Sequence, residues 1–198
     1  GKVHNGRQPY PIVVLLADFL PEALEDKVYQ ELKRTIIEED NKHFNTGVAA
    51  TTWLLHILLQ KGDIDLALDI ISQKDYPSLG NFLKHGFTTY PERWDIEENI
   101  SFCHASFSGT SFWYPQALAG ILPNADNPGF KTVILAPQFT DKLREVTGIF
   151  LSSRGKIESS WKWIDDSTIK YNISIPNGSR GSLILPSGFS ADYSGNTV

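Results

Sequence analysis

The chain has 198 residues, is 41% hydrophobic and 21% charged, and carries a formal charge of 18 − 23 = −5. That is enough for one large domain or two small ones, and too apolar and too weakly charged for disorder along its whole length. The acidic balance excludes the clustered basic footprint of a nucleic-acid binder, and the longest apolar run, residues 12–16, falls far short of the roughly 18–20 residues of a membrane span. A single cysteine, Cys103, excludes an intrachain disulfide and a cysteine-built zinc site. Methionine is absent, where average usage predicts roughly four in this length. The chain opens at Gly1 without a signal-peptide pattern, so we expect a piece of a longer or processed protein, and the N-terminus does not give its compartment.

In chain order, residues 9–20 carry Ile12, Val13, Leu15, Leu16, Phe19 and Leu20, the pattern of a helix buried on most sides. Pro21 then precedes Glu22, Glu25 and Asp26, as expected of a second helix start. Its stripe of Leu24, Val28, Leu32 and Ile36 runs to about residue 39. A third helix is predicted over 49–60 with Trp53, Leu54, Ile57 and Leu58, stopped by Lys61-Gly62. Asp63 can cap a fourth over 64–73. Short connections of this kind make antiparallel helical hairpins.

Residues 75–107 break the pattern. They are rich in aromatics and only partly helical, with two turns expected near 79–85. A segment of this length inside a compact domain is usually functional. A last helix is predicted over 110–122. Beyond it the chain reads as β: strands at 132–135, 145–151, 155–163, 169–175 and 181–185, with Asn177-Gly178 as a turn between the last two. Ile157, Ser159, Trp161 and Trp163 share one face of a strand and read as half of a sandwich core rather than a sugar platform. The tail from residue 187 is polar and rich in Gly and Ser, and is expected to fray. The domains expected are thus 1–122, helical, and 123–198, a small antiparallel β-sandwich.

The segment Gly86-Phe-Thr-Thr-Tyr-Pro-Glu-Arg-Trp-Asp95 carries the most chemistry. Glu92 lies between a proline and an arginine, beside two aromatic rings. Rings stack on sugar faces, and a carboxylate beside them activates water or protonates a leaving oxygen. The alternative is a loop glutamate paired with Arg93. The five histidines show no metal-ligand spacing and no glycine-rich phosphate loop is present, so neither metal nor cofactor is expected. Cys103 beside His104 invites a nucleophile reading, but its neighbours supply no cationic cluster.

The block Thr88-Thr-Tyr-Pro-Glu-Arg-Trp-Asp95 resembles the "TTxWERWD" block of bacterial α-L-rhamnosidases, glycoside hydrolase family 78. In the same order, His43-Phe-Asn-Thr-Gly47 resembles "HLxTG", Asp75-Tyr-Pro-Ser-Leu-Gly80 "YPSxG", His104-Ala-Ser-Phe107 "NHxxF", and the stretch from Trp113 to Leu118-Ala-Gly-Ile121 "WFYxxLAGI". Pro128-Gly-Phe-Lys131 and Ile157-Glu-Ser-Ser-Trp161 resemble the family's C-terminal β-domain. The likeness covers about residues 9–186.

The resemblance implies an α/α toroid of helical hairpins, here in part, followed by a β-sandwich, and an inverting hydrolysis of terminal α-L-rhamnose. It implies Glu92 as general base and His104 as a substrate-binding histidine; Trp94, Tyr90, Trp53 and Asp95 are further candidate substrate-binding residues. Of these, Trp53 also reads as helix core and Asp95 as a partner of Arg93. His43 and Thr46 are expected to fix a turn between helices. The family's acidic block, "DCPxRE…GWTGD", is not found in these residues. The partners implied are therefore a rhamnose-containing carbohydrate and the other half of the toroid, and the 198 residues alone are expected not to hydrolyse aryl rhamnosides. A non-catalytic carbohydrate-binding or assembly module is the alternative. Three positions depart from the family pattern: Pro91 for tryptophan, Cys103 for asparagine, and Ser108-Gly109 in inverted order.

Overall fold

The computed structural model describes residues 7–17, 20–96 and 100–192. It divides into two compact units, Gly1–Ser111 and Phe112–Val198.

The first unit is built of helices α1 (Pro9–Leu16), α2 (Glu22–Arg34), α3 (Val48–Gln60), α4 (Ile64–Ile71), α5 (Leu79–Lys84) and α6 (Ala105–Ser108). Helix α1 is shorter and less buried than its composition suggests. Ile12 is fully buried, yet Tyr10 and Val13 are each 50% exposed, because α1 packs along one side only, on α2 and α3. Phe19, counted in the predicted stripe, lies outside the described residues.

Helix α2 starts after Pro21 with Glu22 and Glu25 in its first turn, where acids complement the free N–H groups. Its stripe buries Val28, Tyr29, Leu32 and Ile36, while Leu24 stays half exposed. The helix widens into a π turn over Thr35–Glu39. It ends where Asn41 and Lys42 both take left-handed φ, at +48° and +58°, and the Lys42 N–H returns to the Ile36 carbonyl at 2.7 Å.

Helix α3 ends at Lys61, with Gly62 left-handed as anticipated. Asp63 stands at the N-cap of α4, but its carboxylate makes no cap. It instead takes the Tyr29 hydroxyl and, at 2.8 Å, the Lys33 ammonium. A long-range ion pair to α2 has outcompeted the local cap. Burial, then the Asp63 hydrogen bond, pushes the Tyr29 hydroxyl far above its ordinary pKa.

The helix predicted over 110–122 is broken and shortened: a 3₁₀ turn over Gly109–Phe112 leads into α7 (Trp113–Ala117). Gly120, at φ +69° with Pro137 pressed against its α-carbon, turns the chain into strand β1 (Ile121–Pro123). The apolar run Ala117–Ile121 has helical spacing, but backbone pairing with the strand at 132–135 decides its last residues. The remaining strands are β2 (Thr132–Leu135), β3 (Glu145–Ser152), β4 (Gly155–Trp163), β5 (Ile169–Ser174) and β6 (Arg180–Leu183).

They form two three-stranded sheets, β1-β2-β6 and β3-β4-β5. All pairings are antiparallel except β2 with β6. Asn177-Gly178 does form a turn, with Gly178 at φ +80°, but it carries the chain from one sheet to the other rather than closing a hairpin. Ala119, Ile121, Val133, Leu135 and Ile157 form the buried core, with Phe130, Val146, Phe150 and Ile175 packed against it.

The mixed face of β4 resolves simply. Ile157 and Ser159 are fully buried and Trp161 is 1% exposed. Ser159 donates to the Ala119 carbonyl and meets the Tyr171 hydroxyl at 2.9 Å, and Trp161 donates to the Leu118 carbonyl at 2.7 Å. Each buried polar atom therefore has a partner, as burial requires. Trp161 is sandwich core. Trp163 is half-buried and donates to the Thr140 carbonyl at 3.1 Å.

Candidate active site

In the helical unit the irregular segments 40–47, 75–78, 86–96 and 100–104 are tied together. The longest is not free. The Glu92 N–H donates to the Ser101 carbonyl at 2.9 Å and the His104 N–H to the Tyr90 carbonyl at 2.7 Å. The Thr89 hydroxyl also donates to the Phe102 carbonyl. The segment folds back on itself as a short ribbon that sets Tyr90 beside His104 and carries Glu92 on its outgoing limb.

Pro91, immediately before Glu92, is buried, so the position where the family has tryptophan offers no exposed face here. Glu92 is partly exposed, and its carboxylate makes no hydrogen bond or ion pair among the described residues. Arg93 faces Asp95 instead, at 3.5 Å. The pairing of Glu92 with Arg93 considered above does not form. Asp95 is that arginine's partner, with a side chain 40% exposed.

Trp94 and Trp53 exchange the characters read from sequence. Trp94 is 8% exposed. Its indole lies between Phe44 and Phe82, both nearly parallel to it, at 5.2 and 5.3 Å, and Phe107 tilts in at 4.3 Å. Its N–H donates to the Thr46 carbonyl at 2.6 Å. Packed against three rings and 8% exposed, Trp94 anchors the Glu92 loop, and what remains of its surface lines the cleft beside the 40–47 turn. Trp53 is 42% exposed and is not core. It sits on α3, the helix that packs against α6, into which His104 leads. Helical periodicity placed Trp53 among Leu54, Ile57 and Leu58, but three apolar neighbours did not fix its azimuth.

Tyr90 is half-buried, with its hydroxyl 3.3 Å from Ser111 Oγ. His104 is half-buried and Cys103 exposed. The inverted order Ser108-Gly109 has a local reason. A Cβ on residue 109 would come within 3.0 Å of Thr52 Oγ1 on α3, so the smaller residue stands at the point of closest approach. Thr52 Oγ1 is itself buried without a hydrogen-bond partner.

The turn 40–47 is the best-built part. Gln8, fully buried, donates to Asp40 Oδ2 and to the His43 carbonyl, both at 2.8 Å, and accepts from the Asn45 N–H at 3.1 Å. His43 meets the Asn41 carbonyl through Nδ1 at 2.9 Å and Asp75 Oδ1 through Nε2 at 3.0 Å. Thr46 Oγ1 lies 2.7 Å from Thr51 Oγ1. His43 and Thr46 thus fix a turn, as expected. Burial by itself lowers the His43 pKa, but the Asp75 carboxylate and the Asn41 carbonyl outweigh it and the net shift is upward. Asp75 is held below its ordinary value by the same hydrogen bond from His43.

Sequence reading passed over Gln8 and the partnership of His43 with Asp75. Their separations, 35 and 32 residues, carry no local signal. A cleft of about 730 Å³ opens beside the turn, lined among others by Arg7, Asp40, His43, Thr46, Tyr76 and Trp94. Its walls do not include Tyr90, Glu92 or His104. No group of three or more His, Cys, Asp or Glu able to hold a metal occurs among the described residues. No helix there is long and apolar enough to cross a membrane.

Comparison with known proteins decides the family. The model of the bacterial alpha-L-rhamnosidase 6 hairpin glycosidase domain matches residues 1–118. The chain belongs to the bacterial α-L-rhamnosidases. The model of that family's C-terminal domain matches residues 120–197.

Among relatives in the family, an alpha-L-rhamnosidase of Formosa agariphila is 27% identical over 183 residues, 90% of this chain and 19% of that protein. One of Alteromonas sp. is 29% identical over 177 residues, 82% of this chain and 19% of that protein. The chain therefore spans about a fifth of the length of these rhamnosidases. In structure it is similar to the alpha-L-rhamnosidase of Dictyoglumus thermophilum, with a TM-score of 0.84 at 27% identity over 93% of this chain and 21% of that one. The Streptomyces avermitilis enzyme, solved in complex with L-rhamnose, gives 0.84 at 26% identity, 96% of this chain and 19% of that one. The expected architecture, helical hairpins followed by antiparallel sheets, is the observed one.

Proposed function

We propose that the intact protein carrying this chain hydrolyses terminal α-L-rhamnose from glycosides or glycans with inversion, and that Glu92 is its general base. The observation that carries this is the state of Glu92. Its backbone is pinned to Ser101, its neighbours Pro91 and Trp94 are buried, and its carboxylate has no hydrogen-bond or ion-pair partner among the described residues. A rigidly mounted, unengaged carboxylate suits an acceptor for a water proton.

In this reading Glu92 takes a proton from water as that water's oxygen attacks the anomeric carbon from the face opposite the leaving group. The bond from that carbon to the leaving oxygen breaks, and a carboxylic acid protonates that oxygen. The two carboxyl groups of an inverting pair stand about 6.5–9.5 Å apart, leaving room for the water. The acid belongs, on this proposal, to residues of the intact protein beyond these 198, in the remaining part of the toroid.

His104, paired backbone to backbone with Tyr90, is placed to exchange one hydrogen bond with a sugar hydroxyl, and Asp95 can accept another. Trp94 supports the loop from beneath. The stacking face passes to Tyr90 and to the open ring of Trp53. Bacterial α-L-rhamnosidase is the name of the relatives above, and one structural neighbour holds L-rhamnose.

The test is hydrolysis of 4-nitrophenyl α-L-rhamnoside by the intact protein, with proton NMR during the first minutes. Release of the β-anomer first is the expected result. The α-anomer first would remove the inverting assignment. Binding of rhamnose without turnover would make the protein a carbohydrate-binding module.

A further inference from the structure

Three features lie outside that mechanism: the exposed Ile149 and Leu151 side chains of β3, the cleft beside the 40–47 turn, and the His43–Asp75 pair. The pair is the one whose hydrogen bonds lead, through the turn and Trp94, to the loop that carries the candidate base.

We propose that His43 and Asp75 are positioning residues for the Glu92 loop, acting through the Thr46 carbonyl and the Trp94 indole. The connection is short. His43 faces an acceptor at each ring nitrogen, Asn41 O at 2.9 Å and Asp75 Oδ1 at 3.0 Å. Two acceptors need two N–H donors, so the ring that satisfies both is the imidazolium. That ion ties the turn to residue 75, which precedes α5, and holds Phe44 and Thr46 in place.

Phe44 and Phe82 of α5 each stack on Trp94, and the Thr46 carbonyl takes the indole N–H. Trp94 is two residues from Glu92, with Arg93 between. Loss of the imidazolium frees residue 75 and α5 from the turn. The two rings that grip Trp94 then separate.

The charged and titratable groups facing the pair are few. Asp40 is engaged by Gln8 and by Asn45, Lys42 pairs with Asp69 at 2.7 Å, Lys84 of α5 acts on Asp75 through its charge, and Arg7 lines the adjoining cleft. None of these replaces a donor at either ring nitrogen.

The proposal rests on Glu92 being the base, so the experiment has two arms that fail separately. The variants His43→Gln, Asp75→Asn and Asp75→Glu are made in the intact protein labelled with 5-fluorotryptophan. The Trp94 fluorine resonance is assigned by its loss in Trp94→Phe. Glutamine can donate to only one of the two acceptors, and asparagine removes the carboxylate. Both should displace the Trp94 resonance, and Asp75→Glu should return it toward the wild-type position.

With an aryl rhamnoside, His43→Gln and Asp75→Asn should lower kcat roughly ten- to a hundredfold, the range for a misplaced catalytic group. KM should stay within about twofold, because neither residue touches the sugar. An unmoved Trp94 resonance in both variants overturns the proposal, whatever the activity. A displaced resonance with wild-type kcat overturns the coupling to Glu92. If the wild type itself turns over no rhamnoside, the substrate reading fails while the fluorine arm still decides whether the pair positions the loop.

Discussion

The two units bury a tryptophan in the same way and to opposite ends. Trp161 in the sheet unit and Trp94 in the helical unit are both almost inaccessible, and each donates its N–H to a backbone carbonyl, of Leu118 and of Thr46. Around Trp161 the frame is regular: paired strands, alternating side chains and a serine that satisfies itself on backbone. Around Trp94 the frame is irregular, made of a turn, a loop and a bent ribbon, and it is tied by titratable side chains. A regular frame needs only burial to hold a ring. The irregular one also needs Gln8, His43 and Asp75, and it ends on a carboxylate without a partner among the described residues. The difference separates a ring that closes a core from a ring that aims a neighbour.

The strongest challenge to that contrast is at Glu92 itself. Glu92→Gln keeps the shape and removes the base, so kcat/KM should fall about a hundred- to ten-thousandfold with an unchanged melting curve. A near-normal rate would leave the helical loop with no more chemistry than the sheet.

Next come the two buried tryptophans. Trp94→Ala and Trp161→Ala should each cost about 3–5 kcal/mol of stability, as large-to-small changes at buried aromatic sites do. Where the protein remains folded, Trp94→Ala should also depress kcat and Trp161→Ala should not. Denaturant midpoints together with kinetics below the transition separate the two effects. Equal kinetic damage from both would erase the distinction.

Trp53→Ala sharpens the comparison from the other side. An open ring contributes little to stability, so the change should stay near or below about 1 kcal/mol, while KM for the rhamnoside rises with kcat largely kept.

The smallest effect is on pH dependence. A raised histidine pKa stabilises below its unfolded value of about 6.5, and that contribution is lost as pH rises through the folded value. A lowered aspartate pKa stabilises above its unfolded value of about 3.9, and that contribution is lost as pH falls through the folded value. Stability from the pair is therefore fullest between these unfolded values. Melting curves of His43→Gln against pH should lack the alkaline decline that the pair gives the wild type.

The comparison also explains what the sequence disclosed. Strands β2 to β6 and the hairpin α3–α4 were legible because period-2 and period-3.6 patterns are local. Strand β1 was not, because Ile121 keeps helical spacing and only its backbone pairing with Leu135 makes it extended. The parallel partnership of β2 with β6 leaves no mark on either strand. Glu92, Tyr90 and His104 were singled out as candidates in short blocks that resemble the family, and the structure brings them to one ribbon. The burial of Trp94 and the exposure of Trp53 were not legible, because composition tells neither which way an indole turns nor what covers its faces. The His43–Asp75 pair was hidden by distance along the chain.

The central claim, that the pinned loop presents Glu92 as the base that activates water, is tested most directly by chemical rescue. Glu92→Gly in the intact protein opens a gap where the carboxylate stood. Azide, a nucleophile that needs no base, can then attack the anomeric carbon in place of water. The account predicts that azide restores turnover of an activated aryl α-L-rhamnoside and yields the β-rhamnosyl azide. Failure of azide to restore turnover, or formation of the α-azide, would contradict it.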